Sequence, residues 1–179
     1  LNITRTWAFP KPDTFKCSPI NDFVKKYLKD GMISIDPFAR NSTLCTYTND
    51  LNPDTKAQYH VDCNEFLKIL DRKHIIADLG ILDPPYSTRQ MHEIYQKVGR
   101  KTSIEDSQGV GIYKHTRTAL DRLIRLGGIV LSFGWNSIGM GINRKYEIIE
   151  ILLVCHGGMH NDTICMAERK IAEQGKLDL

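Results

Sequence analysis

The 179-residue chain has no apolar run approaching the roughly 20 residues that a membrane-spanning helix requires, so no membrane association is expected. It also lacks any close Cys-x-x-Cys pair. Its five cysteines, at positions 17, 45, 63, 155 and 165, are odd in number and scattered, which favours reduced thiols over a disulfide framework or a structural zinc. Cys155, His156, His160 and Cys165 do cluster, but at a spacing that matches no structural zinc pattern; they read instead as two strand segments flanking a turn, and no metal is expected. Internal repeats and low-complexity tracts are missing, which excludes solenoid and fibrous architectures. Residues 1–7 lack the charged-then-apolar layout of a secretory leader, and the leucine at position 1 suggests a trimmed beginning. A cytoplasmic location is expected. The length suits one hydrophobic core and leaves little room for a second, so residues 1–179 are expected to form a single domain.

What is present is ordinary in amount and uneven in distribution. Apolar residues make up 41% and charged residues 25%, as in soluble globular proteins. The formal charge of +3 leans mildly towards an anionic partner. The excess is concentrated in one stretch, which carries Arg89, Lys97, Arg100, Lys101, Lys114, Arg117, Arg122 and Arg125 against Glu93, Glu105, Asp106 and Asp121.

Short apolar or β-branched runs ending in turn formers predict strands over 32–35, 44–48, 58–61, 75–82, 129–133, 148–154 and 163–167. The first four each finish close to an acid: Asp36, Asp50, Asp62 and Asp83. Helical periodicity predicts an N-terminal arm and helix within 1–30, with the helix over 19–28, and further helices over 65–70 and 116–126. Strands interleaved with helices indicate an α/β sheet. The last two strands are joined by about seven residues, too few for a parallel crossover, which predicts an antiparallel hairpin at the sheet edge. Residues 87–114 are polar and aperiodic, as in functional loops of this length, and are expected to meet the substrate.

That loop follows Asp83-Pro84-Pro85-Tyr86, the motif richest in chemistry. Two adjacent prolines fix φ and have no backbone N–H, so they form a stiff turn with carbonyls free to accept. An acid, rigid carbonyls and an aromatic plane are thus fixed at a strand's carboxyl end, where open α/β sheets bind ligands. An exocyclic aromatic amine is a poor nucleophile because its lone pair is delocalised into the ring. Asp83 can accept one amine hydrogen and the Pro84 carbonyl the other, which favours a tetrahedral nitrogen, while Tyr86 stacks on the base. Such stacking is worth roughly 1–3 kcal/mol and offsets part of the cost of flipping the base out of a duplex.

These residues resemble the amino-methyltransferases of DNA, whose catalytic motif is Asp, Asn or Ser followed by Pro-Pro-Tyr or Pro-Pro-Phe. The Asp form is most typical of adenine N6 modification. Ile35-Asp36-Pro37-Phe38-Ala39 with Asn41-Ser42-Thr43 resembles the family's cofactor motif, and the Phe15 segment resembles the element that closes over the methionine end of the cofactor. The resemblance covers about residues 14–170 and is closest to small methyltransferase-like proteins of phage and prophage. It implies a Rossmann-like class I methyltransferase fold with a mixed seven-stranded sheet, and S-adenosylmethionine as cofactor. Phe15, Asp36, Pro37, Phe38, Asp50 and Asp62 would bind the cofactor, Asp50 at the ribose and Asp62 facing the adenine ring. Asp83, Pro84, Pro85 and Tyr86 would be catalytic. Arg89, Lys97, Arg100 and Lys101 are the natural contacts for DNA phosphates. A bacterial or phage-infected cell is the implied setting.

The chain departs from the family pattern in ways that carry their own expectations. Arg40 and Asn41 stand where the family has glycines, and a side chain there could obstruct the cofactor. Only seven residues separate Asp36 from Leu44, fewer than the dozen a helical crossover needs, so the cofactor half is expected to be abbreviated. Asp36 also reads as a strand-end cap, Asp50 as the start of an Asx-turn with Asn52-Pro53, and Asp62 as a helix cap. About nine residues follow Lys170, too few to read a DNA sequence, which points to the 87–114 loop, a homodimer or a recognition subunit for specificity. Methylation of cytosine N4, RNA or a protein amide stays open beside adenine, as does a non-catalytic nucleic-acid-binding role with a degenerate cofactor site.

Overall fold

The computed structural model describes residues 1–85, 113–158 and 160–173. Its strands are β1 (Asn2–Trp7), β2 (Ser34–Asp36), β3 (Tyr47–Thr48), β4 (Ala77–Leu82), β5 (Ile124–Gly134), β6 (Tyr146–Cys155) and β7 (Thr163–Lys170). The α-helices among the described residues are α1 (Ser18–Tyr27), α2 (Cys63–Arg72) and α3 (Lys114–Leu123). One seven-stranded sheet runs in the order β1-β6-β7-β5-β4-β2-β3. β7 is antiparallel to both β5 and β6, and the other pairings are parallel. This is the expected mixed α/β sheet.

Two of its strands differ from the sequence expectation. Residues 58–61 contribute only an isolated parallel bridge, Asn49 to Tyr59, because the short 51–57 connection gives them no length of ladder to follow. The seventh strand is instead β1, in the arm, where Ile3, Thr4 and Thr6 supply β-branched residues without a buried face to betray the strand. The C-terminal hairpin exists, but not at the edge. β7 slots between β5 and β6, and β1 runs along the outer side of β6. The backbone groups of β6 that would have been open to solvent are thereby paired.

Alternation along β4 sorts the core into two layers. Leu79 and Ile81 pack with α1 residues Ile20, Phe23 and Val24. On the other face, Leu82 joins Phe66, Leu67 and Leu70 of α2 and Leu120 and Leu123 of α3. Gly80 lies under α3, where a Cβ would stand 3.2 Å from Leu120 and Ile124, so the missing side chain sets the depth of the helix. By the same alternation Asp83 follows Leu79 and Ile81 onto the α1 side.

α3 stops at Leu123, three residues earlier than predicted, and β5 begins at once. The junction is held by Lys170, 2% exposed, whose ammonium donates to the carbonyls of Asp121 and Ile124 at 3.0 Å each and pairs with the carboxylates of Asp121 and Glu173. A cation at the last helical carbonyls satisfies acceptors that the helix leaves over. The loop after β5 is anchored similarly: the buried Glu168 carboxylate accepts from the amides of Met140 and Gly141 at 2.7 and 3.0 Å.

Candidate active site

The parallel strands β2, β3, β4 and β5 share one carboxyl edge. Asp36, Asn49, Asp83 and Trp135 stand at or just beyond it. Between β2 and β3 the chain makes no helix, so the cofactor half is abbreviated as the spacing predicted. The loop is built from side-chain and backbone bonds instead. Asn49 is buried; its amide donates to the carbonyls of Pro37 and Val61, and its oxygen accepts from the Val61 amide. Asp50 accepts from the Arg40 and Asn52 amides at 3.1 and 2.8 Å, so it braces the loop and forms the Asx-turn. Asp62 caps α2 by accepting from the Asn64 amide at 2.9 Å.

Asp36 is fully buried at the end of β2. One of its oxygens accepts from the Phe38 amide at 3.0 Å, while the other has no hydrogen-bond partner among the described residues. Burial pushes its pKa up to about 8; the Phe38 bond opposes this, and the negative charges of Asp83 and Asp50 add to it. A buried carboxyl with an unused oxygen is costly unless something is meant to meet it.

Beside it opens a cavity of about 170 Å³. One wall is the strap that precedes α1, with Asp13, Thr14, Phe15 and Lys16, and the opposite wall is the loop from Phe38 to Leu44. Asp83, half-buried, closes a side. The structure thus brings together Phe15, Phe38 and Asp83 from three separate segments, whereas Asp36, Pro37, Asp50 and Asp62 do not line the cavity. Phe15 is fixed by an edge-to-face contact with Phe133 of β5, centroids 5.3 Å apart, and its carbonyl accepts from Asn21. Pro84 and Pro85 follow Asp83 in the chain and are not among the lining residues; Tyr86, Arg89, Lys97, Arg100 and Lys101 lie outside the described residues.

Sequence reasoning missed Tyr113. Its hydroxyl donates to the Pro85 carbonyl at 3.1 Å, and its ring meets Phe38 edge to face at 5.6 Å. It therefore ties the proline turn, the Phe38 loop and the start of α3 together. Nothing at the end of a polar aperiodic stretch signals such a contact, which joins residues 28 apart. Trp135, which could have packed under the sheet, is instead 43% exposed at the end of β5. His156 is buried with both ring nitrogens engaged, by the Ala8 carbonyl and the Thr163 hydroxyl, so it fastens the N-terminal arm to the hairpin.

The mixed seven-stranded sheet that carries this cavity matches a known architecture. The chain has the fold of S-adenosylmethionine-dependent methyltransferases. It superposes on a candidate SAM-dependent methyltransferase from Streptococcus mutans with a TM-score of 0.58 at 12% identity, covering 87% of this chain and 49% of that one. SMU.776, a candidate methyltransferase complexed with SAH, gives 0.55 at 13%, covering 78% and 45%. TrmN from Thermus thermophilus gives 0.55 at 14%, covering 87% and 49%. The chain spans about half the length of these structures. No family model matches it, and no curated protein matches it by sequence.

Proposed function

We propose that the chain is an S-adenosylmethionine-dependent methyltransferase whose target is the N6 amine of adenine in DNA. The observation that carries this reading is the position of Asp83, on the wall of a cavity otherwise lined by the Phe15 strap and the Phe38 loop. The residues present fit the cofactor. Phe15 and Phe38 provide apolar walls for a sulfonium-bearing chain, and Asp36, buried outside that lining, has an oxygen without a partner among the described residues that an ammonium or hydroxyl donor would reach once the Phe38 loop admits it. The cofactor supplies an electrophilic methyl group.

The chain's own residues prepare the nucleophile. Asp83 accepts one hydrogen of the amine and the Pro84 carbonyl the other, which localises the nitrogen lone pair and turns it towards the cavity. The neighbouring Pro85 carbonyl is held by Tyr113, so the turn cannot drift. Tyr86 stacks on the flipped base. The cofactor, held between Phe15 and Phe38, would supply the methyl group to this nitrogen and would leave with the electrons of its carbon–sulfur bond. The methylated nitrogen then sheds its extra proton to Asp83 or solvent. Arg89, Lys97, Arg100 and Lys101 contact phosphates, and a second copy or a recognition subunit supplies sequence specificity.

The test is calorimetric titration with S-adenosylhomocysteine, then radiolabelled methyl transfer to adenine-containing DNA, cytosine-only DNA and RNA. Micromolar binding with label confined to adenine in DNA supports the proposal. Label in RNA or on cytosine redirects the substrate, and absence of binding removes the methyltransferase reading.

A further inference from the structure

Arg40 occupies a left-handed backbone conformation, φ +50°, in which glycine is at ease and an arginine is strained. Its side chain nevertheless turns away from the cofactor loop and crosses to the strap. The guanidinium donates to the Pro12 carbonyl at 2.7 Å and lies 3.7 Å from the Asp13 carboxylate. That carboxylate also pairs with Lys16 at 2.8 Å, and the lysine hydrogen bond followed by the Arg40 charge hold its pKa below the usual carboxylate range. Asp13, Phe15 and Lys16 form one wall of the cavity, and Arg40 belongs to the other. The bond therefore joins two of the segments that line the cavity. At about 170 Å³ the cavity is smaller than the roughly 300 Å³ at which ligand pockets normally begin, so a nucleoside-sized ligand in it would press on both of the segments that the bond joins.

We propose that Arg40 is a positioning residue that latches the strap of residues 8–16 over the cofactor cavity, setting the affinity and residence time of the bound nucleoside. The inference rests on the cofactor reading above. It predicts the opposite sign from simple obstruction: an arginine that blocked the cavity would bind ligand better when removed, whereas a latch would bind it worse.

Arg40→Gly is the decisive variant, because glycine accepts φ +50° and the fold is not put at risk. Charge-assisted contacts at exposed positions are modest, so S-adenosylhomocysteine should bind about threefold to tenfold more weakly. The change should appear in a faster dissociation rate, and in the KM for S-adenosylmethionine rather than in kcat. Raised salt should weaken wild-type binding more than that of the variant. A second readout needs no ligand. Cys17, 2% exposed, lies under the strap with its thiol directed at the Phe9 carbonyl, so its alkylation rate, followed by mass spectrometry, reports strap opening. Faster Cys17 alkylation together with weaker binding supports the latch. Unchanged or tighter binding with unchanged alkylation overturns it. If the wild-type protein binds no S-adenosylhomocysteine, the cofactor reading fails, and alkylation alone decides the latch.

Discussion

Replacing Asp36 with asparagine removes a proton-binding group from the interior without changing its shape, and the structure sets the size of the response. In the folded protein the carboxyl is protonated up to about pH 8, whereas its ordinary value is 3.8. Between those two values the folded state holds a proton that the unfolded state has released, so stability falls as pH rises from about 4 to about 8 and is level on either side. At pH 7 the interval above 3.8 is roughly three pH units, and at about 1.4 kcal/mol per unit the cost of keeping Asp36 is at most about 4 kcal/mol. Asparagine does not ionise, keeps an oxygen for the Phe38 amide, and leaves one buried polar atom unmatched just as the acid does. Asp36→Asn should therefore match wild type near pH 4 and exceed it increasingly towards pH 8. At roughly 2–4 °C per kcal/mol, the gain in Tm at pH 7 should be at most about 8–16 °C. The same variant should lose S-adenosylhomocysteine binding, a gain in stability at the expense of the site. Wild-type affinity should rise with pH towards about 8, as the carboxylate needed by a cationic ligand becomes available. Thermal melts at half-unit pH steps test this; parallel pH profiles for the two proteins would refute the account of Asp36.

Three further outcomes follow from other parts of the molecule. Asp83→Ala should abolish methyl transfer while S-adenosylhomocysteine binding changes by less than threefold, and transfer retained in a filter-binding assay would sink the amine-orienting mechanism. Tyr113→Phe deletes the bond to the Pro85 carbonyl, so kcat should drop about fivefold to tenfold, in line with one hydrogen bond of about 1 kcal/mol, with little change in denaturation midpoint. Gly139→Ala should destabilise by about 2–4 kcal/mol in urea, because φ is +48° and the new Cβ would stand 2.1 Å from the buried Glu168 carboxylate; a shift below 1 kcal/mol would show that the loop yields freely.

The fold was largely legible because most of its elements are local. The spacing of Ile20, Phe23 and Val24 made α1, and the run 75–82 ending at Asp83-Pro84-Pro85 marked the central strand. The count of residues between Asp36 and Leu44 was enough to foresee a cofactor half without its crossover helix. β1 was not legible, since a strand exposed on both faces leaves no alternating pattern. The internal position of β7 was hidden for a related reason: hairpin length determines that two strands pair, not which third strand they join.

Within the site the division is similar. Asp83-Pro84-Pro85 specifies a stiff turn through residue type alone, because two prolines restrict the backbone whatever surrounds them. The approach of the Phe15 strap and the Phe38 loop to Asp83 is a matter of sheet order and side-chain parity, and no local pattern encodes it. Residue type left Asp50 and Asp62 ambiguous between ligand and cap; tertiary structure shows their oxygens turned to backbone amides. Arg40 looked like an obstruction by its type, and only its direction, away from the loop and onto Pro12 and Asp13, makes it a bridge. The sequence by itself determined the short-range geometry: stiff turns, helix faces and loop lengths. Tertiary structure decided which of these meet, because contacts between residues 28 or more positions apart are made by packing whole elements, and no short window of sequence contains both partners.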